Sequence, residues 1–296
     1  MQRCTLPPPL TPGDLLRVIA PSGTLREQEA FQKGVEIWRS QGFRVELSPG
    51  YDGRWGYLAG TDEQRRSQLH SAMTDPDCRG ILCARGGYGG ARLLEEWQWM
   101  AYSPKWLIGF SDITSLLWSL ATQGISGVHA PLLTTLATEP EWSVQRLMNW
   151  VQGRSLPSLQ GKSWQGGVAR GLLLPANLTV ATHLLYTPVQ PALQDVILAF
   201  EDVLEAPYRI DRMLTQWRMS GAFQQVKGIA LGRFSQCHPP ANIPSFTVEE
   251  VLRDRLCDLG IPLVADLPFG HDGVNAALPV GIPAILDGDR GTLSLE

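Results

Sequence analysis

The chain lacks most of the features that sort a protein quickly. Its 25 basic residues form no Lys/Arg block and the formal net charge is -4, so there is no electrostatic footprint for nucleic acid or for an anionic membrane surface. No uninterrupted apolar run approaches the roughly 18 residues that a membrane span requires. The stretch Met1-Gln2-Arg3-Cys4-Thr5-Leu6-Pro7-Pro8-Pro9 has no apolar segment of the secretory kind, and a cytoplasmic location is the expectation. Cysteine is sparse. Cys4, Cys78, Cys83, Cys237 and Cys257 are odd in number and widely spread, with no C-x-x-C pair. That argues against a disulfide frame and a zinc site, and for free thiols in a reducing compartment. There is no G-x-G-x-x-G, no Walker lysine, no internal repeat and no low-complexity tract.

What is present describes a globular protein. The 296 residues are 44% hydrophobic and 18% charged, a length that suits two domains better than one core. After a Pro-rich lead-in over 1–13, Leu15-Leu16-Arg17-Val18-Ile19-Ala20 is a short apolar strand closed by Pro21-Ser22-Gly23. A helix follows over about 27–40, with Ala30, Phe31, Gly34, Val35 and Trp38 on one face, and Phe43–Leu47 is a second strand. Strand, helix, strand is the opening of a doubly wound α/β sheet. Thr61 and Gln64 resemble a capping box for a helix over 62–74.

The third strand, Gly80–Ala84, runs into Arg85-Gly86-Gly87-Tyr88-Gly89-Gly90-Ala91-Arg92. Four glycines in five positions let backbone approach a ligand and offer several amides, which fits an anion or oxyanion cradle, a nucleotide site or a plain turn. The next strand, Trp106-Leu107-Ile108-Gly109, ends at Phe110-Ser111-Asp112, and a helix spans about 112–123. Ser111 therefore sits where a strand turns sharply into a helix. It is either an ordinary N-cap or a nucleophile whose Oγ is lifted clear of the sheet. Val128-His129-Ala130-Pro131 is a further strand end, where His129 is a possible but weaker base.

Residues 153–169, rich in Gly, Ser, Gln and Pro, form the expected linker between a domain over 1–152 and one over 170–296. In the second half, Arg170–Thr179 opens with an apolar strand, and Asp195–Phe200 is another that runs into Glu201-Asp202. Carboxylates at the end of a buried strand are costly unless solvated or paired, so either is a candidate site acid. Residues 208–217 and 247–259 are helices and 228–234 a strand, with short closing strands near 279–287. Of the five histidines, His271 in the Gly-bracketed loop Phe269-Gly270-His271-Asp272-Gly273 is the best base candidate by elimination. Ser111, Glu201 and His271 make a triad by residue type, with the amides of Gly86 or Gly87 and of Asp112 as oxyanion donors. No metal site and no cofactor is expected.

Several stretches taken in order resemble the LD-carboxypeptidase family of serine peptidases. They are Val18–Gly23, Ala84–Gly89, Ile108–Thr114, Asn177–Thr179, Phe200-Glu201-Asp202 with Tyr208–Arg212, and Pro268–His271 with Leu278–Gly281. The resemblance implies a Rossmann-like parallel-sheet amino-terminal domain and a smaller β-rich α+β carboxyl-terminal domain of the swivelling β/β/α type. It implies a nucleophile at Ser111, a base at His271 and an orienting acid at Glu201, split across the two halves, with no metal. A homodimer that removes the terminal D-alanine from murein tetrapeptides during cytoplasmic wall recycling is the expected assembly and activity. An immunity-type peptidase cleaving peptidyl- or aminoacyl-nucleotide antibiotics, or a non-catalytic ligand-binding module, are the alternatives. The chain departs from the family at Pro175-Ala176, where Gly-Gly is usual before the asparagine; proline fixes φ and removes a donor there.

Overall fold

The computed structural model describes residues 1–100, 103–239, 241 and 243–296. The chain divides into two compact units: an amino-terminal unit of Cys4–Ser155 with Ala276–Val280, and a carboxyl-terminal unit of Met1–Arg3, Leu156–Asn275 and Gly281–Glu296.

In chain order the amino-terminal unit contributes β1 (Leu15–Ile19), α1 (Gln28–Ser40), β2 (Arg44–Leu47), α2 (Asp62–Thr74), β3 (Cys78–Cys83), α3 (Gly90–Leu94) and β4 (Trp106–Gly109). A 3-10 turn over Ser111–Ile113 leads into α4 (Thr114–Thr122), followed by β5 (Val128–His129), α5 (Leu133–Leu136) and α6 (Glu141–Val151). Five parallel strands in the order β2-β1-β3-β4-β5 make up most of its six-stranded sheet. The alternation of apolar strand and amphipathic helix expected from sequence is what builds it. Phe31, Gly34, Val35 and Trp38 of α1 are buried, and Phe31, Val35 and Trp38 join Leu16, Val18, Leu82, Trp106 and Ile108 in the core. Thr61 and Gln64 do form a capping box at the start of α2. Because β2 and β3 lie on opposite sides of β1, the strand order reverses between β1 and β3. The carboxyl edge at that reversal is where open α/β sheets bind ligands.

The carboxyl-terminal unit follows with β6 (Leu159–Gln160), β7 (Lys162–Gln165), β8 (Val168–Asn177), α7 (Leu178–Leu184), β9 (Val196–Val203), α8 (Pro207–Met219), β10 (Gly228–Ser235), α9 (Val248–Leu256) and, after a 3-10 turn, β11 (Leu263–Ala265). β12 (Leu278–Pro279), β13 (Pro283–Asp287) and β14 (Thr292–Leu295) complete the chain. Its eight-stranded sheet runs β6-β14-β13-β8-β9-β10-β11-β7, with β8 to β11 parallel and the outer strands antiparallel. Leu173, Ile197, Leu198 and Ile229 are fully buried in it. Trp217 of α8 lies against Phe200 at 5.0 Å between ring centroids and donates its indole N–H to Thr182 Oγ1 at 2.9 Å.

Two boundaries differ from the sequence expectation. Residues 153–169 do not form a plain linker, since β6 and β7 occupy the two margins of the second sheet. Edge strands pair on one side only and can stay short and polar, so they carry little periodicity to detect. Ala276–Val280, expected in the second domain, belongs to the amino-terminal unit. There β12 pairs antiparallel with β5, Val280 N donates to Gly127 O at 3.0 Å and Arg146 Nε donates to Ala277 O at 3.1 Å. A two-residue strand has no pattern of its own.

None of the five cysteines is in a disulfide. Among the described residues no helix is long and apolar enough to cross a membrane, and no group of three or more His, Cys, Asp or Glu is placed to hold a metal ion.

Candidate active site

In the amino-terminal unit the site is built on the carboxyl ends of β1, β3 and β4. Ser111 lies two residues past the end of β4 and has φ +63°. This left-handed backbone is uncommon for a residue with a Cβ and costs about 1–3 kcal/mol, so the surrounding structure must hold it. The ordinary cap reading does not survive. Ser111 is the first residue of the 3-10 turn itself, Phe110 precedes that turn, and neither the turn nor α4 has a side-chain cap. What remains is the strained strand–turn–helix elbow that presents a serine Oγ at a sheet edge.

The glycine-rich turn after β3 packs on that elbow. A Cβ on Gly86 would stand 3.1 Å from Ser111 Cβ and 3.2 Å from its Oγ, so a side chain there would crowd the hydroxyl and the elbow would have to give by a few tenths of an ångström. Gly87 and Gly89 have φ +106° and +123°, which the turn needs to present its amides. Three buried side chains fasten it: Asp112, which sequence reading named only for its amide, and Ser22 and Arg65, which it did not single out. Asp112 accepts from Ser22 Oγ at 2.5 Å and from Gly90 N at 2.7 Å. Burial raises the Asp112 carboxyl above its ordinary value, against the pull of the Ser22 and Gly90 hydrogen bonds. Arg65, fully buried on α2, donates to the carbonyls of Pro21, Gly60 and Gly89 and pairs with Asp62, which also holds Arg92. The loops after β1 and β3 are thereby tied to one guanidinium. The one available signal was the mid-helix arginine between polar neighbours, which patterning assigns to solvent.

Replacing Arg65 by methionine orphans three buried carbonyls and removes one partner of Asp62. We expect a loss of about 3 kcal/mol in denaturant unfolding, larger than for Arg66→Met.

Other candidates of this unit are otherwise engaged. Arg85 donates to Glu27 Oε2 at 3.0 Å and to Gly86 O at 3.2 Å, bracing the turn. His129 is completely buried with its ring edge-on to Phe110 at 5.6 Å, so it has no open face for a substrate.

In the carboxyl-terminal unit, β9 delivers Glu201 and Asp202, both buried, at the carboxyl edge of the parallel strands. His271 Nδ1 lies 2.5 Å from Glu201 Oε2, a charge-assisted contact that holds the ring by one nitrogen. Burial disfavours the imidazolium, but the charge and hydrogen bond of Glu201 outweigh it, and the His271 pKa is raised above 6.5. The loop that carries His271 is fixed to β10 where that strand's pairing with β9 shifts register between Leu231 and Phe234. Leu267 N donates to Leu231 O at 3.0 Å, Arg233 N to Phe269 O at 2.8 Å, and Gly270 N to Asn275 Oδ1 at 3.2 Å. His271 and Asp272 line a cleft of about 490 Å³ in this unit, with Arg233, Asp266, Trp164 and Arg253.

Asn177 lies in register with Glu201 across β8 and β9. Its side-chain amide donates to Glu201 Oε1 at 3.3 Å and its carbonyl caps α7 by accepting from Val180 N at 3.1 Å. The unusual Pro175 leaves this intact. The ladder between β8 and β13 ends at Leu172, so Pro175 stands where β9 alone pairs with the strand, and Pro175, Ala176 and Asn177 match Ala199, Phe200 and Glu201 without a break.

Two sheets of this topology, a strained serine elbow and a buried acid–imidazole pair define a mixed α/β two-domain hydrolase architecture. The family model of the LD-carboxypeptidase N-terminal domain matches residues 16–130, and that of the C-terminal domain matches residues 170–286. The chain belongs to the LD-carboxypeptidase family. It is 64% identical to the Synechocystis sp. protein named "Putative carboxypeptidase slr1534", over 97% of this chain and 96% of that one. Identity to the murein tetrapeptide carboxypeptidase of Pseudomonas aeruginosa is 33%, over 92% of this chain and 93% of the relative. The crystal structure of muramoyltetrapeptide carboxypeptidase from Oxalobacter formigenes superposes with a TM-score of 0.85 at 29% identity, covering 95% of this chain and 97% of the other.

Proposed function

We propose that the protein is a serine carboxypeptidase that removes the terminal D-alanine from murein tetrapeptides by cutting an L,D bond. Ser111 is the nucleophile, His271 the general base and Glu201 the acid that orients it. The observation that carries the reading is the setting of Ser111, at φ +63° on the strand–turn–helix elbow after β4 with the glycine turn packed against its Oγ. Murein-directed names among relatives that match nearly the full chain supply the substrate class.

The chemistry follows from the groups present. Ser111 Oγ attacks the carbonyl carbon of the residue before D-alanine while its proton passes to His271 Nε2. Glu201, bonded to Nδ1, fixes the tautomer and stabilises the imidazolium. The oxyanion of the tetrahedral intermediate takes hydrogen bonds from the amides of Gly86 or Gly87 and Asp112. The intermediate collapses as His271 gives its proton to the leaving amine of D-alanine. A water, deprotonated by the same imidazole, then attacks the acyl-enzyme ester and releases the shortened peptide and Ser111. Cytoplasmic recycling of wall peptides by a homodimer is the setting we propose, as the family resemblance implies.

The test is release of D-alanine from L-Ala-D-Glu-diamino acid-D-Ala by the purified protein, read with a coupled D-amino acid oxidase. Release is expected. Absence of release together with cleavage of an aminoacyl-nucleotide would replace this reading with the immunity-type one.

A further inference from the structure

We propose that Asp202 is a positioning residue, one that anchors Asn177 against Glu201 and acts on His271 through that pair. The proposal rests on the reading of Glu201 and His271 as the acid–base pair. Successive strand residues face opposite sides of a sheet, so Glu201 and Asp202 would normally share no partner. Here one amide serves both: Asn177 Nδ2 lies 3.3 Å from Glu201 Oε1 and 3.2 Å from Asp202 Oδ1. The other Asp202 oxygen accepts from Thr179 N and Thr179 Oγ1, both at 2.8 Å, and Oδ1 also accepts from Val203 N at 2.8 Å. Asp202 therefore ties the first turn of α7, and with it Asn177, to the end of β9.

A purely structural tie would be served by a neutral side chain, yet a second carboxyl is buried beside Glu201. The cost is visible in its acidity: burial first, and then the charge of Glu201, push the Asp202 carboxyl up to about 6, against the hydrogen bonds from Thr179 and Val203. The charged and titratable groups around the pair come from three elements. β9 supplies Glu201 and leads to Glu205. The segment after β10 supplies Cys237, whose thiol burial holds at about 11 and which stays neutral. The loop after β11 supplies His271 and Asp272, the latter 3.5 Å from Arg233. Asn177 at the end of β8 and Thr179 on α7 are neutral, and α7 also carries His183, whose Nδ1 lies 2.6 Å from Thr179 O. In this setting the negative charge of Asp202 adds to those of Glu201 and Asp272 in favouring the imidazolium.

The experiment is Asp202→Asn, with the His271 ring protons followed by NMR through a pH titration of the substrate-free protein. The midpoint is expected to move to lower pH, and the acidic limb of the tetrapeptide pH–rate profile to move with it. At the plateau kcat is expected to fall on the order of tenfold, with KM little changed. A midpoint that stays in place overturns the proposal, as does a raised KM with unchanged kcat. Thr179→Val keeps both charges and removes one tie, so it is expected to lower kcat; an unchanged kcat overturns the anchoring. Should Asp202→Asn not fold, Thr179→Val decides through the kcat reading just given. Because the NMR readout needs no substrate, it stands whether or not the tetrapeptide is cleaved.

Discussion

Ser111→Ala lowers D-alanine release from the tetrapeptide on the order of 10⁶-fold, the scale set by deleting the nucleophile of a serine triad. The expectation is tied to stability in a way that separates it from damage. Ser111 holds φ +63°, and neither the 3-10 turn nor α4 takes a side-chain cap, so no capping bond is lost with the hydroxyl. The alanine variant should therefore unfold at about the same denaturant concentration as the wild type. Ser111→Gly should be at least as inactive and more stable by roughly 1 kcal/mol, because glycine adopts the left-handed region without penalty. Gain in stability with loss of turnover is the signature of a residue kept in strain for chemistry. Unchanged turnover in the alanine variant would sink the mechanism.

Glu201→Gln is the second large effect. The carboxylate is completely buried and its partner at 2.5 Å is the imidazole, so the amide leaves the His271 tautomer unsupported and the imidazolium uncompensated. We expect kcat/KM to fall about 10⁴-fold, as when the acid of a Ser-His-Asp triad is amidated. Burial is then opposed only by the charges of Asp202 and Asp272, so the His271 pKa should fall from its raised value. The pH dependence of stability has the opposite sense to that of activity. In the wild type the folded-state pKa of His271 lies above 6.5, so the pair's stabilising contribution is fully present below that pH and is lost as pH rises through the raised value. Activity rises over the same window, because the base works only when neutral. In Glu201→Gln that stability slope should flatten, which chemical denaturation across roughly pH 5 to 9 reads directly. A slope identical to wild type would break the link between Glu201 and the imidazole.

Much was legible along the chain because it is local. Apolar runs of strand length, the one-sided face of α1, the Thr61–Gln64 cap and the Ser111 elbow each depend on residues within a few positions. Near-neighbour sterics and hydrogen bonding dictate them before any tertiary contact forms. Sequence order likewise placed glycines at the end of β3, the serine at the end of β4 and a carboxylate at the end of β9. What the chain could not decide locally is anything set by pairing between distant segments. β6 and β7 are too short and polar to announce themselves, and Ala276–Val280 joins the amino-terminal sheet through a two-residue strand. The burial of Arg65 depends on three carbonyls brought to it by separate loops.

The sharpest division is at the site. Sequence determined which residue types stand at the strand ends, and at Ser111 local pattern left both a cap and a nucleophile open while the family resemblance implied the nucleophile. The tertiary structure removed the cap, because the elbow places Ser111 inside the turn at φ +63° with Gly86 packed against it. It also set apart two adjacent carboxylates, of which the sequence reading had named Glu201. Glu201 meets His271, while Asp202 is turned to Thr179 and shares Asn177 with its neighbour. Those assignments rest on the register of β8 against β9 and on a loop some seventy residues away, distances over which only the folded sheet carries information.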